Sequence, residues 1–306
     1  MHRRSIKPTS SSAPHAAFVA FVALAAFAFV STLESFALAG PVDTGMGRPL
    51  DVSTEGHRSD WLFDVTAVSV TVLFVAQFLI MLYALIKFRE SQGSRAEYDH
   101  GVGKKPLMLM GIVSSAIFVI VDGTLLFFSF RDVNGTWWNW PTDPQAVQVE
   151  VYAQQWAWNF RYAGVDGKFD TADDIVTLND LRVPTGVPVH VKMKSSDVIH
   201  SFYLPNFRTK QDVVPGQMTQ IWFQAVPEAA TKWDDAKKAQ VPAGGVQYDI
   251  GCAQHCGSNH YKMHATLTVY TPAEYKDWFE AAAQDAKRRN DVTDLAARWG
   301  WDWENK

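Results

Sequence analysis

The chain has 306 residues, a formal net charge of −4, and a hydrophobic content of 47% that is concentrated in three runs, at 16–30, 61–88 and 107–130. Clustering of this kind is typical of membrane segments joined to an aqueous domain, rather than of a single water-soluble globule. The acidic charge argues against nucleic acid as a partner and favours a partner with a basic surface.

The first apolar run predicts a signal peptide over residues 1–39. Three basic residues precede an Ala-rich apolar stretch, and small residues around Ala39 permit cleavage after it. A third spanning helix is the alternative, but the run is short for crossing a bilayer. The arginine pair near the N terminus leaves both Sec and twin-arginine export open. Cleavage would leave a net charge of −6.

Residues 61–130 predict a transmembrane helical hairpin, preceded by an outer linker at 40–60. Each of its two apolar runs is long enough to cross a bilayer with some tilt. The segment between the runs is richer in basic residues than the outer flanks, which predicts that it is cytoplasmic and that both ends of the mature chain are outside. We therefore expect a multi-pass protein of a bacterial-type plasma (inner) membrane, with partner helices beside its own two.

The part of the chain beyond the hairpin changes its pattern twice. The sequence TWWNWP, within residues 131–146, predicts an interfacial linker at the membrane surface. Over 147–271, apolar and polar residues alternate in short segments separated by turn signals, which predicts an antiparallel β-sandwich or barrel. Helix formers with i, i+4 charge pairs predict a C-terminal helical tail over 272–306. No function is predicted for the insertion at 227–245.

The sequence CAQHCGSNHYKM, at positions 252–263, contains both cysteines of the chain. A turn can direct Cys252 and Cys256 to one point, and His260 and Met263 follow at spacings of four and three residues. Thiolate, thioether and imidazole donors together favour copper or zinc over calcium or magnesium. The methionine favours copper, because structural zinc sites use cysteine, histidine and carboxylate. A disulfide is the alternative, since the chain is predicted to be exported.

Two cysteines are one more than a single copper electron-transfer site uses. Two thiolates can instead bridge two copper ions, each of which then needs a terminal imidazole. His260 supplies one. His255 and His264 lie close in sequence but in the same loop, whereas His200 lies at the end of a predicted strand, where a sandwich brings its loops together.

The pattern C-x-x-x-C-G-x-x-H-x-x-M resembles the binuclear copper A loop of the cytochrome c oxidase subunit II family, in the haem-copper oxidases. The segments DVIHSFYLPNFRTKQDVVPG and QQWAWNFRY resemble two further segments of that family, and the resemblance covers nearly all of 60–270. It implies a cupredoxin-like sandwich behind a two-helix hairpin. It also implies an oxidoreductase and translocase subunit that takes electrons from cytochrome c and passes them to haem in subunit I. Oxygen reduction there is coupled to proton pumping. Subunit I, other oxidase subunits, cytochrome c and membrane lipid are the implied partners.

The resemblance implies six metal contacts, the last through a backbone carbonyl: His200, Cys252, Cys256, His260, Met263 and Gln254. It implies that Trp156 is where electrons arrive from cytochrome c. His255 and His264 fall outside the ligand pattern and are expected to serve in packing or hydrogen bonding. Most of the family has glutamate at position 254, where it helps to hold magnesium at the contact with subunit I. Gln254 is a poorer ligand for a hard cation, which puts that site in doubt.

Period-two spacing places Trp156, Trp158, Phe160 and Tyr162 on one face of a single predicted strand, with the last three expected in the core. An acidic docking face is expected because cytochrome c presents lysines. Asp197 matches the acid that the family usually carries there. The four aspartates of DGKFDTADD are expected to form a solvated acidic loop, with docking as the alternative: Asp166, Asp170, Asp173 and Asp174.

Proton-channel roles for Glu97, His100 and Asp122 are left open, although a carboxylate inside an apolar run is often functional. Four other functions are alternatives. A stand-alone binuclear copper carrier would lack a haem-bearing partner, and a quinol oxidase subunit II would lack the copper ligands. A nitrous oxide reductase normally has a large propeller domain, and a non-redox module would have a disulfide-clipped sandwich. The chain has no C-x-x-C-H motif and therefore no fused c-type haem.

Overall fold

The computed structural model describes residues 48–89, 100–234, 237 and 239–289. The predicted signal peptide, Glu97 and the tail beyond 289 lie outside the described residues. The chain divides into two compact units, one of which contains 61–131 and the other 41–60 together with 132–306.

Two long apolar helical segments form most of the first unit, 61–131. The first is α1, Gly56–Lys87. The second runs from Lys104 to Trp138 and consists of α2 (Lys104–Ile117), α3 (Gly123–Val133) and π-helical turns after each. Their most apolar windows have mean hydropathies of 2.3 and 2.1, so both are long and apolar enough to cross a membrane. Large apolar side chains are exposed along both, as expected of helices that face lipid or partner helices.

The second unit is a sandwich of two five-stranded sheets and a separate hairpin, with strand orders β3-β2-β1-β5-β8, β4-β12-β11-β6-β7 and β10-β9. The strands are β1 Val147–Gln154, β2 Ala157–Tyr162, β3 Ile175–Leu178, β4 Asp180–Pro184, β5 Pro188–Ser195, β6 His200–Leu204, β7 Thr209–Val213, β8 Thr219–Gln224, β9 Thr231–Asp234, β10 Ala239–Pro242, β11 Val246–Cys252 and β12 His264–Tyr270. The predicted two-helix segment and cupredoxin-like sandwich are thereby confirmed.

The prediction of an antiparallel arrangement was wrong for two strand pairs. β1 pairs with β5 in parallel, with Val149 opposite Val191, and β12 pairs with β4 in parallel. Both pairs join strands that are distant in sequence. Local alternation reports which face of a strand is buried, but it carries no information on the direction of a distant partner.

Alternating side chains from both sheets fill the core of the sandwich. Trp158, Phe160 and Tyr162 of β2 have no solvent exposure, and Phe202 of β6 packs edge-on against Trp158 with ring centroids 5.3 Å apart. Each aromatic side chain of this kind buries roughly 150–250 Å². The same packing fixes the start of β6, where His200 lies.

Two flanking segments join the sandwich. Val52 is buried, and its backbone N–H donates to the carbonyl of Asn206 at 2.9 Å, so part of the predicted outer linker is folded onto the sheets. The C-terminal helix, α4 (Pro272–Arg289), packs Trp278 against Tyr162 with centroids 5.6 Å apart. The predicted C-terminal helix is therefore present up to residue 289.

Candidate metal centre

Two neighbouring strands bring the donor-bearing segments together. His200 begins β6 and Cys252 ends β11, which pairs antiparallel with β6 so that Cys252 lies opposite Phe202. The loop from 252 to 263 closes on itself through a hydrogen bond from the Cys252 N–H to the Met263 carbonyl at 3.2 Å. It is tied to β6 through a hydrogen bond from the Ala253 N–H to the Ser201 carbonyl at 3.0 Å.

The donor atoms form two groups, one around each cysteine sulfur. The two sulfurs are 3.7 Å apart. Around Cys252, the Nδ1 atom of His200 lies at 4.0 Å and the carbonyl oxygen of Gln254 at 3.2 Å. Around Cys256, the Nδ1 atom of His260 lies at 3.5 Å and the thioether sulfur of Met263 at 3.6 Å. All six predicted contact groups therefore lie in one cluster, formed by the loop 252–263 and the first residue of β6.

The cysteines are not joined to each other. Both are free, and their 3.7 Å separation greatly exceeds a disulfide bond, which is about 2.05 Å. It is shorter than two metal–thiolate bonds of about 2.3 Å each, so one metal atom can contact both sulfurs. The ligating atoms of His200, Cys252 and Cys256 lie within 4.8 Å of one another.

The surroundings shift the pKa values of the two cysteine thiols in opposite directions. Burial alone would raise the pKa of Cys252, but hydrogen bonds from His200 and from backbone N–H groups lower it to about 6. Burial raises the pKa of Cys256, and the adjacent Cys252 sulfur raises it further. Removing the first proton from such a pair makes removal of the second harder. Metal binding requires both sulfurs as thiolates and therefore releases protons.

His200 is oriented by a carboxylate on its far side. Its Nε2 atom lies 2.8 Å from Asp197 Oδ1, which leaves Nδ1 directed towards the Cys252 sulfur. Burial would lower the pKa of His200, but the contacts with Cys252 and Asp197 raise it overall. A carboxylate on the outer nitrogen is the usual way in which proteins fix the ring of a metal-ligating histidine.

Trp156 does not share a strand with the other aromatic residues, so the prediction of one continuous strand was wrong. Gln155 and Trp156 form the turn between β1 and β2, while Trp158, Phe160 and Tyr162 enter the core as expected. Alternation continues through the turn and conceals the reversal of the chain. Half-buried Trp156 donates its indole N–H to the Cys256 carbonyl at 3.2 Å, which places its ring beside the cysteine loop.

Gln155 is a site residue that the sequence analysis missed. Its side-chain amide donates to the same Cys256 carbonyl at 2.7 Å. The only sequence signal was its position next to Trp156. The two other histidines of this region, His255 and His264, make no contact with either cysteine sulfur in the described structure. His255 is exposed, and His264 contacts Asp249 at 3.1 Å.

The acidic loop is more structured than the prediction of a solvated loop allowed. Asp174 is buried, and Asp170 lies 2.5 Å from Arg161. Asp173 accepts hydrogen bonds from the Val165 N–H and the Thr171 hydroxyl, and Asp166 accepts one from the Lys168 N–H. Asp170 and Asp174 serve as partners of the buried Arg161, which needs them. Asp166 and Asp173 instead accept hydrogen bonds within the loop. Elsewhere, Asp122 and His100 are exposed.

The chain is similar to several known proteins. The periplasmic domain of subunit II of cytochrome oxidase (CoxB) of Bradyrhizobium japonicum, a crystal structure, is 22% identical; the match covers 46% of this chain and 97% of that one, with a TM-score of 0.36. Alternative cytochrome c oxidase subunit 2 of Bradyrhizobium diazoefficiens is 29% identical, over 75% of this chain and 82% of its own. Cytochrome c oxidase subunit 2 of Cereibacter sphaeroides is 25% identical, over 85% and 88%.

The family model for the periplasmic domain of cytochrome c oxidase subunit II matches residues 147–269. This range begins at β1 and ends in β12, so it includes the whole donor cluster. The two relatives extend the match to 75% and 85% of the chain. Residues 147–269 therefore match the periplasmic domain of the cytochrome c oxidase subunit II family, and the chain as a whole is similar to curated subunit 2 proteins of cytochrome c oxidases.

Proposed function

We propose that this subunit holds a binuclear copper A centre, receives electrons from cytochrome c and passes them to haem in subunit I. The observation that carries the proposal is the pair of cysteine sulfurs 3.7 Å apart, each with an imidazole Nδ1 within 4.0 Å. Thiolate, imidazole and thioether donors in one cluster suit copper. When bound, a copper pair supplies reversible one-electron transfer without bond-making at the site.

Different residues of the chain provide the different donors for that centre. Cys252 and Cys256 provide the thiolates, and His200 and His260 provide one imidazole on each side. Met263 has no solvent exposure, so its thioether closes the inner side of the site against water. The Gln254 contact uses the backbone carbonyl and is therefore unaffected by the change from glutamate.

We assign Trp156 as the residue at which electrons arrive. Its ring is half-buried in a turn beside the cysteine loop, and its N–H is bound to the Cys256 carbonyl. A basic cytochrome c suits the acidic character of the chain, and Asp197 lies partly exposed next to this turn. Asp197 also binds His200, so its charge serves orientation as well as docking.

The remaining parts of the proposal concern the complex. The two apolar helices anchor the subunit in the plasma membrane beside subunit I, where oxygen reduction and proton translocation take place. The copper domain and both mature ends face the periplasmic side. No magnesium role is proposed for Gln254, since its exposed amide is neutral.

Paramagnetic resonance of the full chain, purified with its oxidase partners, tests the copper assignment. Hyperfine coupling to two equivalent copper nuclei is the expected spectrum, and Cys256→Ser should abolish it. His264→Gln is the matched control, because His264 lies in the same region without contributing a donor. A single-copper spectrum in the wild-type complex, or joined cysteines without metal after reduction and copper loading, contradicts the proposal.

A further inference from the structure

Gln155 is bound on two sides, to segments that are far apart in sequence. Its side-chain Nε2 donates to the carbonyl of Cys256 at 2.7 Å. Its backbone N–H donates to Asp197 Oδ2, also at 2.7 Å. The other oxygen of the same carboxylate lies 2.8 Å from His200 Nε2. One residue in the β1–β2 turn thus connects both donor-bearing segments, although His200 and Cys252 are 52 positions apart.

The contact between this turn and the cysteine loop leaves no spare space. Gly257 has a φ of +119°, a conformation that L side chains rarely adopt. A Cβ atom there would lie 2.8 Å from Gln155 Nε2 and 3.2 Å from Trp156 Cζ2. The loop therefore approaches the turn as closely as backbone alone permits, and glycine is the residue that makes this approach possible.

We propose that Gln155 is a positioning residue for electron transfer: its amide and its backbone N–H hold the cysteine loop, His200 and the Trp156 ring in one fixed arrangement. The inference rests on the proposed copper function. Trp156 follows Gln155 directly in the turn and donates to the same carbonyl, so a movement of Gln155 changes the separation between the indole ring and the loop.

The chemistry of the Cys256 carbonyl explains why an amide is suited to this role. A carbonyl oxygen has two lone pairs, and here the two donors are the Gln155 amide and the Trp156 indole. Hydrogen bonding near a metal-binding cysteine tunes the reduction potential of copper sites. Removing the amide should therefore loosen the loop and shift the potential, while the donor set itself remains complete.

Gln155→Met in the full oxidase complex tests the proposal, because methionine keeps the chain length and removes the donor. We expect copper content to stay at the wild-type level, the reduction potential to shift, and kcat for cytochrome c oxidation to fall with KM unchanged. Gln154→Met is the matched control, since this neighbouring glutamine ends β1 and, in the part of the chain that the structure describes, makes no such hydrogen bond to the cysteine loop. It should leave all of these quantities as they are in the wild type.

A second measurement uses the metal-free full chain and is independent of activity. Cys256 is only 2% exposed. Loss of the amide hydrogen bond should raise its rate of alkylation roughly fivefold, the change in opening equilibrium that one typical hydrogen bond allows. Gln155→Glu tests whether the hydrogen bond matters or only the shape of the side chain, because glutamate has nearly the same shape. Its carboxylate faces the Cys256 carbonyl without a donor, so it should perturb the potential at least as strongly as methionine does.

The outcomes distinguish this inference from the function on which it rests. Wild-type complex without a paired-copper spectrum means that the proposed function fails. A paired-copper spectrum in the wild type, with Gln155→Met equal to Gln154→Met in potential, kcat and alkylation, overturns the positioning role alone. A Gln155→Glu variant that behaves as the wild type also overturns the positioning role. In that case a side chain of this shape and polarity would be sufficient without the amide donor.

Discussion

The two cysteines show how strongly position alters the same side chain. Cys252 ends a strand, is half-buried and receives hydrogen bonds, whereas Cys256 is buried beside a thioether. The pKa of Cys252 is therefore lowered and the pKa of Cys256 raised. Because only the thiolate is nucleophilic, the metal-free chain should have one fast-reacting and one slow-reacting cysteine.

Alkylation of the metal-free chain across a pH series should reveal that difference. A lowered pKa means that Cys252 is mostly thiolate at neutral pH, so its labelling should be near its maximum there and should fall as the pH drops through about 6. Cys256 should be labelled far more slowly over the same range. Mass spectrometry of the loop peptide distinguishes the two positions. Parallel labelling of both, rising near pH 8.5 as for ordinary thiols, would contradict this.

Gly257→Ala should destabilise the β-sandwich and weaken copper retention. The substitution combines a disfavoured φ of +119° with a Cβ only 2.8 Å from Gln155 Nε2. Strain of this type costs about 1–3 kcal/mol of unfolding free energy. Gly186→Ala is the control, because Gly186 also has a positive φ, of +74°, but no atom lies within 4 Å of its added Cβ. Thermal unfolding followed by near-ultraviolet circular dichroism measures both, and equal losses would show that the close approach has no effect of its own.

At the scale of elements, the β1–β2 hairpin is held by a buried charge network. Glu150 and Arg161 face each other across the two strands and form a hydrogen-bonded ion pair. The loop between β2 and β3 adds Asp170 and Asp174 on the other side of the guanidinium. Breaking a buried pair from one side is costly because the remaining charges lose their partner.

Arg161→Met should lower the free energy of unfolding by about 3–5 kcal/mol at neutral pH. Burial already raises the pKa of Glu150, and Arg161 opposes that rise. Without the arginine, the pKa rises further above its unfolded value. The folded state then binds the proton more tightly, so stability is retained at low pH and lost as the pH increases.

The melting temperature of Arg161→Met should therefore fall more steeply than that of the wild type between about pH 5 and pH 7, where unfolded carboxyl groups are already ionised. Lys276→Met is the control, since its pair with Glu280 is largely exposed and worth at most about 1 kcal/mol. A variant whose loss is independent of pH would show that the network stabilises by packing alone.

The sequence predicted elements with strong local signals and missed those set by distant partners. The cysteine loop was recognisable because its donor types and spacing are rare together, and His200 followed from the resemblance. β1 and β2 were read as one strand because Gln155 and Trp156 preserve the alternation and include no Gly, Pro, Asn or Asp to signal a turn. The Gln155 contact with Cys256 spans 101 positions, which no local pattern encodes.

At the scale of the whole molecule, the chain consists of an apolar helical unit and a β-sandwich. The sequence predicted both, but the second helical segment continues to Trp138, beyond its apolar run. Its aromatic end was predicted as a linker because those residues are typical of a membrane interface. The first proline after this run is Pro141, so the sequence contains no strong helix breaker before it.

Copper binding should stabilise the sandwich without affecting the helices. A ligand that binds only the folded state increases the free energy of unfolding by about 2.7 kcal/mol at a free concentration one hundred times its Kd. Adding copper to the reduced chain should therefore raise the melting temperature of the sandwich, followed by near-ultraviolet circular dichroism. A chelator should reverse this increase. The Cys252→Ser variant should show no such shift. A similar shift in that variant would indicate binding elsewhere on the chain.

The parallel pairing of β1 with β5 also bears on how the protein matures. Two parallel neighbours cannot be joined by a tight hairpin, so the chain must complete β2, β3 and β4 before that ladder closes. The cysteine loop follows later still, between the last two strands. The chain therefore completes its cysteine loop near the end of folding, so binding of the proposed copper would follow formation of the sandwich rather than nucleate it.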